Sequence, residues 1–498
     1  MNARRTVFLG LDVGTSGVKA ILIDGTGDIV ANATTPLQLS TPRPGWAEQH
    51  PNDWWSATIM SIRNVLTDRV RVAAVGISGQ MHSSVFLDAQ GDVIRPALLW
   101  CDGRTTNECA EITRQAGGEA VLRDWVCNAA LEGFTLPKIL WLRNHEPDAF
   151  TRLATVLLAK DFIRYRLTGT LATEPSDASG TLMYDPARLR WSDDLMKAVQ
   201  LPMSLLPSLG GSAEPLGAVS ENAAALTGLP PGIAVVGGGA DNACGAAGVG
   251  AVHVGEAVAS WGTSGTVLAP THQPMVDPDL RAHTFCHVLP NLWYVMGVVL
   301  SAGGAFAWYR DQLARELHGH HDADTVLNNE AAGIAIGAEG VTFLPYLQGE
   351  RTPHRDASAR GAFVGLSLAH TRAHMTRAVL EGVCFALRDS LVILQELGLS
   401  PSHLLLTGGG ARSPFVRKLQ ADVYGLPVTT VNREEGPAYG AALLAAVGAG
   451  AFADLGEATR STLERAPLQD YDVAAHRAYE DPYARYGALY GSLKRPAP

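Results

Sequence analysis

A chain of 498 residues is too long for a single hydrophobic core, and 47% hydrophobic content gives it interior enough for two domains or more. A formal net charge of -10 argues against a general binder of nucleic acid or of anionic membranes, which needs a basic surface. Six cysteines, without CxxC pairs or zinc-spaced His/Cys clusters, point to a reduced, cytoplasmic protein, and no apolar run approaches the roughly 20 residues of a membrane helix.

Asn2-Ala-Arg-Arg runs straight into the strand-like Thr6-Val-Phe-Leu-Gly, with no apolar signal core between them. Residues 6–30 read as three antiparallel strands joined by the turns Gly14-Thr-Ser-Gly17 and Asp24-Gly-Thr-Gly27. In the first turn the backbone N–H groups of small residues converge on one concavity beside the Thr15 and Ser16 hydroxyls, a nest suited to phosphate. Asp12, just before it, is placed to hold magnesium through waters. Read alone, the same four residues make an ordinary hairpin turn.

Further along, Pro44 to Pro51 is a loop rich in polar and aromatic groups. Gln80-Met81-His82 follows the strand Val72–Ser78, and Trp100-Cys-Asp102-Gly-Arg104 ends the next apolar segment. His82 and Asp102, both at expected strand ends, are candidates to meet in one pocket and bind a polyhydroxylated ligand. Residues 133–250 look like a helical insert returning to a sheet, with helices expected over 138–144 and 160–168. Ile233-Ala-Val-Val-Gly-Gly-Gly-Ala-Asp241-Asn242 then reads as a buried strand, a glycine turn and a small-residue helix. The strand's carboxyl end is where open α/β sheets bind ligands, so Asp241 is the candidate general base; helix capping is the competing reading of Asp241-Asn242.

A second copy of the nest, Trp261-Gly262-Thr263-Ser264-Gly265, lies half a chain later between strand-like runs, which implies a duplicated architecture whose halves face each other. The strand ending at Gly79 is echoed by Leu404-Leu-Leu-Thr-Gly-Gly409-Gly410-Ala-Arg412-Ser413, and the helix after Gly237 by Gly436-Pro-Ala-Tyr-Gly440. Those two small-faced helices are expected to cross at the domain junction as a hinge. Strands are expected at 283–287 and 293–297, and helices after Gly303, over 377–387 and over 415–423; the segment after about 450 reads as packing or as an oligomer surface, a homodimer being one such assembly. No Gly-x-x-x-x-Gly-Lys-Ser/Thr run and no His-Arg-Asp loop occurs, which excludes a P-loop and a protein kinase. What remains is a duplicated α/β nucleotide-binding fold closing around ATP.

The chain resembles the FGGY carbohydrate kinases of the actin, hexokinase and Hsp70 superfamily. Gly133-Phe-Thr-Leu-Pro-Lys138-Ile-Leu-Trp141 through His145 fits the family's first signature, and Gly361-Ala-Phe-Val-Gly365-Leu through His374-Met-Thr-Arg-Ala378-Val-Leu-Glu381 fits its second. The resemblance implies a two-lobed, ribonuclease H-like α/β fold with an interdomain cleft. Residues 1–251 would carry the sugar site, the first phosphate turn and the catalytic Asp; residues 252–498 would carry the second turn and the adenosine site. It makes Asp241 the base and Asp12 the magnesium residue, with Gln80, Met81, His82, Asp102 and Asn242 at the sugar. Gly14, Thr15, Gly262 and Thr263 would hold phosphates, while Gly303, Trp308, Gly409, Gly410, Arg412 and Ser413 would lie at the rest of ATP. Gln80-Met-His82, Trp100-Cys-Asp-Gly-Arg104 and Gly349-Glu-Arg-Thr-Pro-His354 most resemble the D-xylulose-phosphorylating members, although Cys101 stands where the family more often has Asn.

Overall fold

The computed structural model describes residues 4–433 and 435–494; Asn2 and Ala3 of the N-terminal reading lie outside them. Two sheets dominate. The first is built from β1 (Arg5–Val13), β2 (Gly17–Asp24), β3 (Ile29–Pro36), β4 (Val70–Gly79), β5 (Pro215–Ala218), β6 (Ala234–Val236) and β7 (Gly239–Ala240), in the order β5-β6-β4-β1-β2-β3 with β7 paired to β4. The second is built from β8 (Ala257–Trp261), β9 (Gly265–Thr271), β10 (His283–Cys286), β11 (Trp293–Val299), β12 (Leu404–Gly408) and β13 (Val428–Thr429), in the order β10-β11-β9-β8-β12-β13. In each, the first strand pairs antiparallel with its hairpin partner on one side and parallel with a later strand on the other: β1 with β2 and β4, β8 with β9 and β12. The duplication expected from the repeated Gly-Thr-Ser-Gly turn is therefore a duplication of sheet wiring.

Strand alternation decides which residues reach the cleft. On β1, Val7, Leu9 and Leu11 point to a core with Trp54 and Phe162, whereas Phe8 points to the opposite side. Asp12 shares the parity of Phe8, and Lys19, paired opposite Asp12, shares that of Ile21 and Ile23. On the second sheet Val258 and Leu268 enter the same core as Phe8, while Ala259, Trp261 and Val267 turn away into a separate one. One continuous apolar core thus lies between the two sheets.

Helices cover the remaining faces: α1 (Thr135–His145), α2 (Ala159–Thr168), α3 (Asp241–Gly248), α4 (Gly303–Leu313), α5 (Arg372–Glu396), α6 (Pro414–Tyr424), α7 (Gly436–Gly448) and α8 (Val473–Leu493). The helices expected at 138–144, 160–168, 377–387 and 415–423 are all present, each longer than its apolar spacing alone indicated. Although α7 comes late in the chain, it packs on the first sheet. A Cβ at Gly10 would lie 2.8 Å from the Ala442 backbone nitrogen, and one at Gly76 would lie 2.9 Å from the Ala441 carbonyl carbon. On its other side α7 meets α3: a Cβ at Gly440 would lie 2.8 Å from the Cys244 carbonyl carbon. The expected crossing of the two small-residue helices is therefore backbone against backbone.

The last segment contributes packing through α8. Tyr479 and Tyr486 of α8 are buried, the Tyr486 hydroxyl lies 2.7 Å from that of Tyr346, and Tyr483 donates to Asp389 at 2.6 Å. No helix among the described residues is long and apolar enough to cross a membrane.

Candidate functional site

At the carboxyl edge of the first sheet, β4 lies between β1 and β7, with Asp12 paired to Ser78 and Gly239 paired to Ser78 from the other side. The chain reaches this edge through Gly238, whose φ of 71° is left-handed and whose missing Cβ makes room for the Ile77 backbone. Asp241 follows as the first residue of α3. It is not the cap, a position held by Ala240. Its Oδ1 instead accepts from the Asn242 N–H at 2.7 Å and from Asn242 Nδ2 at 3.0 Å.

Asp12, Lys19, Asp241 and Asn242 line a cavity of about 350 Å³, closed from the second sheet by Ser260 and Thr266. Ser260 and Thr266 are paired across the β8–β9 hairpin as Asp12 and Lys19 are across β1–β2, so equivalent hairpins present equivalent positions to one space. Burial raises the Asp12 carboxyl to about 6, against the pull of Lys19. Burial, and then the negative charge of Asp12, raises Asp241 to about 7. Both are acids whose proton affinity sits near neutrality. Lys19 forms an ion pair with Glu435, just ahead of α7.

The two turns are held differently. In the first, the Gly14 N–H donates to the Gly17 carbonyl at 3.0 Å, and the Thr15 hydroxyl accepts from Trp100 Nε1 at 2.9 Å while donating to Gln80 Oε1 at 3.2 Å. Gln80 is buried and also accepts from Ser83, so its side chain braces the turn. In the second, the Gly262 carbonyl accepts from the Gly303 N–H at 2.8 Å and the Thr263 carbonyl accepts from Ala302 and Gly304 at 3.0 and 2.9 Å, which seats the turn on the start of α4. Gly410 packs on the Trp261 ring, and exposed Gly409 follows Gly408, which borders the cavity. Gly262, Gly303, Gly409 and Gly410 are thereby gathered at one end of the cleft. Arg412 is exposed beside them, the Ser413 hydroxyl caps α6 by accepting from Val416 N–H, and Trp308 is 38% exposed along α4.

At the other end Met81 joins the acid pair, its sulfur accepting from Asn242 Nδ2 at 3.6 Å. His82 has a φ of 68°, donates from Nδ1 to the Gly180 carbonyl, and packs on Phe134 with ring centroids 4.8 Å apart. Burial lowers its pKa to about 3, so it is a neutral ring with Nε2 left as an acceptor. Asp102 does not pair with His82. Its carboxylate accepts from Arg104 at 2.7 and 2.8 Å and from the Ala47 N–H at 2.6 Å, and it lines a second cavity, of about 210 Å³, together with Trp100 and Cys101.

Residues with no role assigned from sequence hold this arrangement. Lys138, fully buried and lowered to about 7 by desolvation, donates from Nζ to the carbonyls of His82 at 3.0 Å and Gly133 at 2.6 Å. Behind the glycine turn, Arg164 donates to the Gly237 carbonyl at 2.9 Å, and the Ser176 hydroxyl accepts from the Ala240 N–H at 3.0 Å while donating to Glu174 at 2.7 Å. A lysine inside the otherwise apolar run 136–142 was the visible sign of the first device.

Residues 7–248 match the N-terminal domain of the FGGY family of carbohydrate kinases and residues 257–449 match its C-terminal domain. The chain is 40% identical over 500 residues to the xylulose kinase of Escherichia coli (strain K12), covering 98% of this chain and 99% of that protein. Its fold is similar to the crystal structure of a xyloylose kinase from Brucella ovis (TM-score 0.87, 38% identity, 98% and 99% of the two chains). It is also similar to a gluconate kinase from Lactobacillus acidophilus (TM-score 0.90, 25% identity, 98% of each). With both domains matched in order, and two acids in one cavity between the two sheets, the chain belongs to the FGGY family of carbohydrate kinases.

Proposed function

We propose that this kinase transfers the γ-phosphoryl group of ATP to the primary hydroxyl of D-xylulose, giving ADP and D-xylulose 5-phosphate. The observation that carries the reading is that Asp12 and Asp241 share one cavity between two equivalent hairpins. The sugar is supported by the names and full-length identity of the relatives. Asp241 accepts the hydroxyl proton as the new O–P bond forms and the bond from Pγ to the bridging oxygen breaks, with ADP leaving. Such transfers have loose transition states and rely on position and charge, so one placed carboxylate suffices as base. Thr15 and Thr263 with their turns are assigned the phosphates, Gly409, Gly410 and Arg412 the adenosine side, and Met81, His82 and Asn242 the sugar.

Mg²⁺ fits the donors present. Among the described residues Asp12 has a buried oxygen, Oδ1, without a hydrogen-bond partner, and there is no group of three His, Cys, Asp or Glu able to make a complete metal shell. That is the pattern of an ion held by one or two carboxylates with waters and the substrate's phosphates. Bound there, Mg²⁺ would neutralise charge on the β- and γ-phosphates. Residues 1–251 and 252–498 are proposed as the two lobes of a cytoplasmic enzyme, with a homodimer as the assembly to be checked by sedimentation.

ADP release measured with D-xylulose, D-ribulose, xylitol, D-gluconate and no sugar tests the assignment. D-xylulose should give the highest kcat/KM and raise ATP turnover by orders of magnitude over the sugar-free rate. Equal efficiency on D-gluconate or xylitol would reject the substrate, and sugar-independent turnover would reject the kinase role.

A further inference from the structure

The 210 Å³ cavity is lined by Trp100, whose Nε1 donates to Thr15 of the first phosphate turn at 2.9 Å, and is closed by the second half of the chain through Glu350 and Arg351. Most charges on its wall are spent. Asp102 is paired with Arg104 at 2.7 Å, and Arg355 with Glu119 at 3.0 Å. Glu350 and Arg351 are not. Glu350 is 1% exposed; its Oε1 accepts from the N–H groups of Leu300 at 3.0 Å and Arg351 at 2.8 Å, while Oε2 has no partner among the described residues. The Arg351 guanidinium presses on Gly133, where a Cβ would lie 2.6 Å from Nη2; the charges of Glu132 and Glu350 act on it, yet among the described residues it makes no hydrogen bond or ion pair. Gly133 precedes Phe134, the ring packed on His82, and the Arg351 charge is felt at His82 after burial.

A buried carboxyl oxygen and a guanidinium left unsatisfied in a cavity cost free energy unless something fills it. The space, about 210 Å³, has room for a short hydroxylated fragment. Burial raises the Glu350 carboxyl to about 8, so near neutral pH it also carries a proton to donate. A group with adjacent carbonyl and hydroxyl oxygens satisfies both residues: Arg351 donates to the carbonyl, and the Glu350 carboxyl exchanges hydrogen bonds with the hydroxyl.

We infer that Glu350 and Arg351 bind the end of the acyclic sugar remote from the phosphorylated hydroxyl and read its carbonyl and terminal hydroxyl. The inference rests on the ketose kinase activity proposed above. It makes the second half of the chain part of sugar selection, so that choosing the sugar and closing the cleft are one event.

The test compares wild type, Arg351→Met and Glu350→Gln on D-xylulose, 1-deoxy-D-xylulose, xylitol and D-gluconate, with KM for ATP and the thermal midpoint followed in parallel. Arg351→Met should raise the KM for D-xylulose about 10–100-fold, leave the KM for ATP within about twofold, and collapse the preference for D-xylulose over xylitol. Glu350→Gln, which keeps size and shape, should raise the KM for D-xylulose and affect the 1-deoxy sugar far less. Both variants holding the D-xylulose KM within about twofold of wild type overturns the subsite. So does an equal rise for ketose and pentitol. If Arg351→Met does not fold, the Glu350→Gln comparison decides alone. A wild-type preference for D-gluconate that Arg351→Met abolishes would replace the carbonyl by a carboxylate and overturn the inference. Wild type inactive on every sugar refutes the activity itself, whereas an active wild type with unchanged variants refutes only the subsite.

Discussion

Gly440→Ala sets two opposed effects against each other at the crossing of α3 and α7. Helix propensity favours alanine over glycine by about 1 kcal/mol in a helix interior. Sterics oppose it, because the new methyl would overlap the Cys244 carbonyl oxygen and lie 2.8 Å from its carbon, both backbone atoms inside a helix that has no side chain to rotate away. Overpacking of this kind costs typically 1–3 kcal/mol, so the net expectation is destabilisation by up to about 2 kcal/mol. Gly487→Ala in α8 is the control: that glycine is exposed and a Cβ there meets nothing within 4 Å, so the same propensity acts unopposed and stabilises by about 0.5–1 kcal/mol. Thermal melts of the two variants should move in opposite directions. Because Asp241 is the first residue of α3, pushing the helix aside also displaces the carboxylate, and misplacement by about 1 Å can cost on the order of 100-fold in rate. A Gly440→Ala protein that melts at or above wild type with full turnover would refute the packing argument.

Asp241→Asn should keep ATP binding, measured by equilibrium dialysis, and lose about 10²–10⁴ in sugar-dependent turnover; retention within about tenfold removes Asp241 as base. Lys138→Met strips two buried carbonyls of their donor and should raise the sugar KM at least about tenfold with the ATP KM unchanged, whereas a parallel rise in both would mean general damage. Asp12 and Asp241 hold protons up to about 6 and about 7, whereas unfolded carboxyls release theirs near 3.8. Their contribution to stability is therefore full below about pH 4 and is lost as pH rises through 6 to 7, at up to about 1.4 kcal/mol per unit for each group. Urea midpoints from pH 4.5 to 7.5 should fall less steeply in Asp241→Asn than in wild type; identical slopes would count against a protonated Asp241.

What the sequence disclosed was whatever repeats or lies close along the chain. Gly14-Thr-Ser-Gly17 recurs at 262–265, and the recurrence, rather than either copy, announced two matching sheets. Asp241 was legible because a β-branched run and a glycine turn fix where a strand ends. Gln80 was expected at the sugar, and its bracing of the turn was not legible, because its partner Thr15 is 65 residues away and only the fold brings the amide beneath the turn. Asp102 looked available beside His82, yet Arg104, two residues on, takes both of its oxygens. The small residues of α3 and α7 signalled close approach without saying that α7 would also lie on β1 and β4. Composition reports how near a helix can come to something, and not to what.

That placement has a consequence for synthesis on the ribosome. The face of the first sheet carrying Gly10 and Gly76 is capped by a helix, residues 436–448, that emerges only after every strand of the second sheet has been made. At about 5–20 residues per second, the nascent first half waits roughly 10–40 s with an apolar surface open to water. A fragment ending at residue 251 should accordingly bind a hydrophobic dye and aggregate, and adding a peptide spanning α7 should suppress both. For this polypeptide, birth order and assembly order differ, and a chaperone has its natural opening in the interval between them.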